Sequence, residues 1–205
     1  MKFFCTKKML LCNHIEEFRG HLLKSLFSIF IGTFLLMIHR TIIFDYILFA
    51  PAKSNFITYR LFYLIGNLLH KKLKLILQKN LTLQNRQMLG QFNTYMWVSF
   101  IGGIILAFPY IFYEFWCFIK PGLSGIELFY SKVIILSSSI LFILGLFFGY
   151  FILCPMAIQF GETFKVSNLP ENIFDLTDYI SIITHLTLSI GFLFLFPIAV
   201  FFLLK

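Results

Sequence analysis

The 28 residues 133–160 contain no charged side chain, and this restricts the fold more than any other feature of the chain. A helix of that length reaches roughly 42 Å at 1.5 Å per residue, more than the ~30 Å hydrocarbon core of a bilayer. Its apolar residues lie on every side rather than along one stripe. A small soluble core cannot bury such a segment, whereas lipid requires only that the backbone bond to itself. Three further runs have the same character. Residues 22–38 carry Lys24 in the first turn, where it can reach the interface. In 95–119 the one charge is Glu114, and Pro109 lacks the N–H that a helix needs four residues on, so a kink is expected. Residues 179–204 contain no acidic or basic residue apart from His185, and Pro197 interrupts their last third. The expected fold class is all-α: a polytopic helical membrane protein with four transmembrane helices in a single membrane domain, 1–205.

The rest of the chain fits around these spans. Hydrophobic residues make up 59% of it and charged residues 13%, against about 45–50% and about 25% in soluble domains. The 29 Phe residues, with abundant Ile, Lys and Asn, read as the drift of an AT-rich genome such as an organelle's, not as a cofactor site. Cys5, Cys12, Cys117 and Cys154 form no CxxC pair, and no phosphate loop, metalloprotease helix or hydrolase triad is present, so neither enzymatic activity, metal, cofactor nor nucleic-acid partner is expected. The N-terminus, with Glu16 and Glu17 soon after its lysines, is not patterned as a secretory signal. In the long connection 39–94, the apolar run 42–49 is expected along the membrane surface. Lys71, Lys72, Lys74, Lys79 and Arg86 suggest a solvated or headgroup-facing helix. Lys and Arg divide eight to nine between the two faces, so the basic flank of the first span decides the orientation and places the N-terminus inside. Gly145-x-x-x-Gly149 and Gly102-Gly103 read as chance spacings, and His185 as a residue hydrogen-bonded to a neighbouring helix.

The span ends carry recognisable patterns. Before the first span stands His14-Ile15-Glu16-Glu17-Phe18-Arg19-Gly20-His21-Leu22-Leu23, which is similar to the H-L-x-E-L-R-x-R-L-L motif of the TatC family. The second span closes with Pro109, Tyr113-Glu114-Phe115-Trp116-Cys117-Phe118, Pro121-Gly122-Leu123 and Glu127. These resemble that family's P-x-x-x-Y-[EQ]-x-W-x-F-x-x-P-G-L-x-x-x-E. Phe142, Gly145, Phe148, Tyr150, Phe151 and Pro155 in the third span, and Tyr179, Gly191, Phe194 and Pro197 in the fourth, extend the likeness to nearly everything from His14 onward.

The resemblance implies a receptor subunit of the twin-arginine translocase, which assists transport of folded proteins across an energy-coupled membrane at the expense of the proton gradient. Its implied partners are twin-arginine signal peptides, TatA-type single-span subunits, the lipid bilayer and further copies of itself. The signal-binding residues it implies are Glu17, Arg19 and Glu127, with Pro109, Glu114, Phe118, Pro121, Gly122 and Pro155 as structural positions. Two guanidinium groups call for carboxylates in a partly desolvated place, where charge-assisted bonds are short and often bidentate. Glu114 reads equally as a functional intramembrane carboxylate or as one that is protonated or reaches the interface. The family has six spans, so this chain is either a fragment or a reduced version. Leu195 stands where the family often has Glu or Gln. The mitochondrial inner membrane is the expected location, with the thylakoid or bacterial plasma membrane as alternatives. The competing function is a small hydrophobic subunit of an organellar respiratory or photosynthetic complex.

Overall fold

The computed structural model describes residues 3–68, 81, 83–119, 125–165, 167 and 173–203, with side chains omitted at 3–15, 65–68, 119, 125–134, 199 and 201–203. Six α-helices follow in order: α1 (Phe3–Ile38), α2 (Ile57–Leu68), α3 (Gly90–Ile119), α4 (Gly125–Phe148), α5 (Cys154–Thr163) and α6 (Leu176–Leu203). Two π-helical segments, π1 (Ile42–Leu48) and π2 (Gly149–Leu153), precede α2 and α5. Among the described residues four stretches are long and apolar enough to cross a membrane: Glu16–Ile38, Gly90–Phe118, Ile135–Thr163 and Leu176–Ile198. The third is built from α4, π2 and α5 in succession. Large side chains stay bare on these helices, as in Phe27, Phe30 and Phe34 at 67%, 72% and 66% exposure on α1. In water that surface would be unstable; against lipid tails it costs nothing.

The chain forms two compact units, one of 1–35 with 99–140 and the other of 36–98 with 141–205. In the first, α1 and α3 approach backbone to backbone. A methyl group added at Gly103 would lie 2.3 Å from the Thr33 hydroxyl and 2.7 Å from its backbone nitrogen, and one at Gly32 would lie 3.0 Å from the Gly103 carbonyl oxygen. Gly103 is therefore a packing position and not a chance occurrence.

The second unit holds a core of Ile43, Leu48, Val98, Cys154, Ile158, Tyr179, Ile180 and Ile183. The small-residue stripe expected to be accidental is a helix contact here as well. Added methyl groups at Gly145 and Gly149 would fall 2.9 Å from the Ile190 carbonyl oxygen and 3.0 Å from Thr187 Cα, both on α6. Without a hydrophobic effect between helices in lipid, such close backbone approach supplies the van der Waals contact that holds them.

Irregular backbone in this unit is satisfied by hydroxyl groups. Tyr95, Tyr179, Tyr59 and Tyr150 donate to the carbonyl oxygens of Met37 (2.7 Å), Leu48 (3.0 Å), Pro51 (3.1 Å) and Ile47 (2.5 Å). Burial raises the Tyr59 phenol above its usual pKa, with Glu162 adding to the effect, so its hydroxyl remains a donor. Pro155 has no N–H to offer the carbonyl four residues back. That carbonyl, on Phe151, instead accepts a 2.6 Å bond from the Thr58 hydroxyl, and Thr58 is 5% exposed. The π-helical turn before Pro155 accommodates the missing bond, since Cys154 N–H reaches the Gly149 carbonyl five residues back. The run 42–49, expected to lie flat on the membrane, is largely π1, and it drives Ile43 and Leu48 into the core while leaving Ile42 and Tyr46 exposed. A short parallel pairing, Leu83 with Phe174 and Gln84 with Asp175, ties two connections together. Helix α2 and this pairing are absent from the reading of the sequence. Lys71, Lys72, Lys74 and Lys79 lie outside the described residues; Arg86 is exposed, and its backbone N–H donates to Asp175 Oδ1.

Candidate functional site

The polar centre of the first unit joins the start of one span to the end of another. Glu114 lies on α3, 5% exposed although it is a carboxylate. Burying such a group without partners costs several kcal/mol, and the structure supplies one donor to each oxygen. Tyr110, one turn earlier on α3, donates from its hydroxyl to Oε1 at 2.7 Å. His21 of α1 places Nδ1 2.5 Å from Oε2. Lys24, one turn further along α1, is within electrostatic reach of the same carboxylate.

The pair is walled by aromatic rings. Phe118, one turn after Glu114, meets Phe18 with ring centres 5.1 Å apart and the His21 imidazole edge-on at 6.5 Å. The Ser25 hydroxyl closes back on the His21 carbonyl at 2.9 Å. This hydrogen-bonded contact between a partly exposed imidazole and a buried carboxylate fixes the register of α1 against α3.

Glu17 and Arg19 stand on α1 one turn or less before His21, both exposed. Glu127 falls in the first turn of α4 by backbone position, its side chain outside the described set, and Pro121 and Gly122 lie outside the described residues altogether. Pro109 is exposed within α3, which continues through it, and Pro155 is buried at the start of α5. Glu114 is a buried carboxylate engaged by His21 and Tyr110. His185 packs its ring 6.1 Å from that of Trp97 on α3. The sequence reading passed over His21. Its signal is positional: it occupies the second basic place of H-L-x-E-L-R-x-R-L-L, one span away from a carboxylate that needs a partner.

Fold and site together define an integral, polytopic helical membrane protein. Residues 13–205 match the family of Sec-independent protein translocase proteins, TatC. A TatC protein of Blattabacterium sp. subsp. Periplaneta americana (strain BPLAN) is 57% identical over 194 residues, covering 94% of this chain and 73% of its own length. TatCy of Bacillus subtilis (strain 168) is 31% identical over 149 residues, 70% of this chain and 59% of its own. A crystal structure of the twin-arginine translocase receptor TatC superposes with a TM-score of 0.70 at 26% identity, over 91% of this chain and 72% of that one. The chain belongs to the TatC family. That membership displaces the reading as a subunit of a respiratory or photosynthetic complex.

Proposed function

We propose that this chain is a receptor subunit of a twin-arginine translocase and takes the paired arginines of signal peptides on Glu17 and Glu127, with Arg19 orienting Glu17. The observation that carries the reading is the His21–Glu114 contact, which pins α1 to α3 one turn beyond Glu17. It holds a surface carboxylate on a fixed helix at the end of a span. A carboxylate on a rigid element loses less entropy on binding than one on a loose tail. Helix α4 begins at Gly125, so Glu127 lies near the end where α3 finishes. TatA-type single-span subunits and further copies of the chain are the partners, and the proton gradient the source of energy.

The bacterial plasma membrane is the location that the 57% identity to a bacterial protein supports. The mitochondrial and thylakoid readings rest chiefly on amino-acid drift. Capture of a twin-arginine signal peptide, set against its Lys-Lys variant, tests the function. Neutralising Glu17 or Glu127, once the bound peptide shields the carboxylate from water, weakens capture by about 2 kcal/mol, roughly thirtyfold, while Glu16→Gln has little effect. Equal capture of both peptides, or capture unchanged in Glu17→Gln/Glu127→Gln, rejects the proposal.

A further inference from the structure

A cavity of about 600 Å³ lies in the unit formed by 36–98 and 141–205. That is within the ~300–1,000 Å³ of small-molecule sites. Its walls come from Arg40 just past the first span, Phe44 and Asp45 of π1, and Gln91, Thr94 and Tyr95 in the first two turns of α3, with the start of α6 closing it. Helix α1 ends where α3 and α6 begin, so the cavity sits beside the ends of three candidate spans.

Two observations indicate the occupant. Thr94 is 5% exposed, lines the cavity, and its hydroxyl has no hydrogen-bond partner among the described residues. A buried polar group in that condition calls for a partner from outside the protein. The walls also carry both signs of charge. A purely anionic ligand would meet Asp45 and a purely cationic one Arg40, whereas a zwitterion satisfies both. The planar guanidinium suits a phosphate, and a primary ammonium suits a carboxylate flanked by aromatic faces such as Phe44 and Tyr95.

We propose that this cavity binds the headgroup of phosphatidylethanolamine, its phosphate on Arg40 and Thr94 and its ammonium at Asp45, with the acyl chains continuing into the bilayer. The site is independent of the signal-peptide reading and belongs to the other unit.

The full chain, reconstituted in nanodiscs with equal amounts of phosphatidylethanolamine, phosphatidylcholine and phosphatidylglycerol, is released into detergent and its retained lipids are counted by native mass spectrometry. Phosphatidylethanolamine is expected in about tenfold excess over phosphatidylglycerol, and Arg40→Gln or Asp45→Asn each removes most of that excess. Thr94→Val lowers it and Thr94→Ser preserves it, a pair that separates loss of the hydroxyl from loss of folding; Glu114→Gln leaves it intact. Equal retention of the three lipids, or an excess that survives both charge variants, overturns the proposal. So does soluble phosphoethanolamine that displaces the lipid at equal concentration, because the cavity would then take the group from solution.

Discussion

Removing the imidazole in His21→Ala leaves Glu114 with Tyr110 as its remaining described hydrogen-bond donor, in a setting where the carboxylate side chain is 6% exposed and the imidazole 27%. A hydrogen bond to a charged group contributes about 1.5–3 kcal/mol, and breaking one side of a fully buried pair costs about 3–5 kcal/mol. The partial exposure of His21 moves the expected loss to the lower part of this span, about 2 kcal/mol. Glu114→Gln costs less, about 1 kcal/mol, because the amide still accepts from Tyr110 and can donate to a neutral imidazole. The decisive measurement is a double-mutant cycle on reversible unfolding in mixed micelles, using His21→Ala, Glu114→Ala and the double variant. Two residues in direct contact should couple by about 1–2 kcal/mol, so the double variant is more stable than the sum of the single losses indicates. Additivity within about 0.5 kcal/mol would show that the contact carries no energy and would refute the argument that it sets the register of α1.

Thr58→Val removes the donor to the Phe151 carbonyl that Pro155 cannot serve, and is expected to cost about 1–3 kcal/mol in the same unfolding assay, with Thr58→Ser close to wild type. Gly145→Leu must displace α6 backbone 2.9 Å from its first side-chain atom, a loss of about 1–3 kcal/mol. Gly20→Ala, where nothing lies within 4 Å of an added methyl, should instead be stabilising by up to about 1 kcal/mol through helix propensity. In signal-peptide capture, Glu114→Gln should weaken the twin-arginine and Lys-Lys peptides by the same factor, whereas Glu17→Gln should abolish the difference between them; a loss of discrimination in Glu114→Gln would place that carboxylate in direct contact with the arginines.

The spans were legible because each one is written in its own residues. A charge-free run such as 133–160 needs no partner to be recognised, and among the described residues Ile135–Thr163 is long and apolar enough to cross a membrane. What escaped notice depends on pairs of distant residues. Gly145 and Gly149 reveal a contact only when Ile190 and Thr187 are brought beside them. Thr58 has no visible role until Pro155, far along the chain, leaves a carbonyl open. Helix α2 and the pairing of Leu83 with Phe174 lie in connections whose composition is mixed, where neither helix nor strand periodicity dominates. For the site, motif spacing singled out Glu17, Arg19, Glu127 and Glu114, but not which carboxylate turns inward. That distinction is set by His21, whose residue type looks like a weakened arginine until Glu114 is seen opposite it.

The inward pairing bears on recognition itself. A carboxylate at a span end attracts any cation, and an unoccupied one beside a receptor surface would compete for the same guanidinium groups. Glu114 has both oxygens engaged, by Tyr110 and His21, so taking an arginine would require one of these bonds to break in a nearly dry place, a cost that new salt-bridge energy does not reliably return. Exposed Glu17 carries no comparable burial penalty and sits on a helix already fixed by the buried pair. On the proposed reading, specificity for two adjacent arginines depends on where rigid carboxylates are presented, not on how many are nearby. On the proposal that Glu17 takes a signal arginine, the contact that engages Glu114 is also the one that holds the helix presenting Glu17.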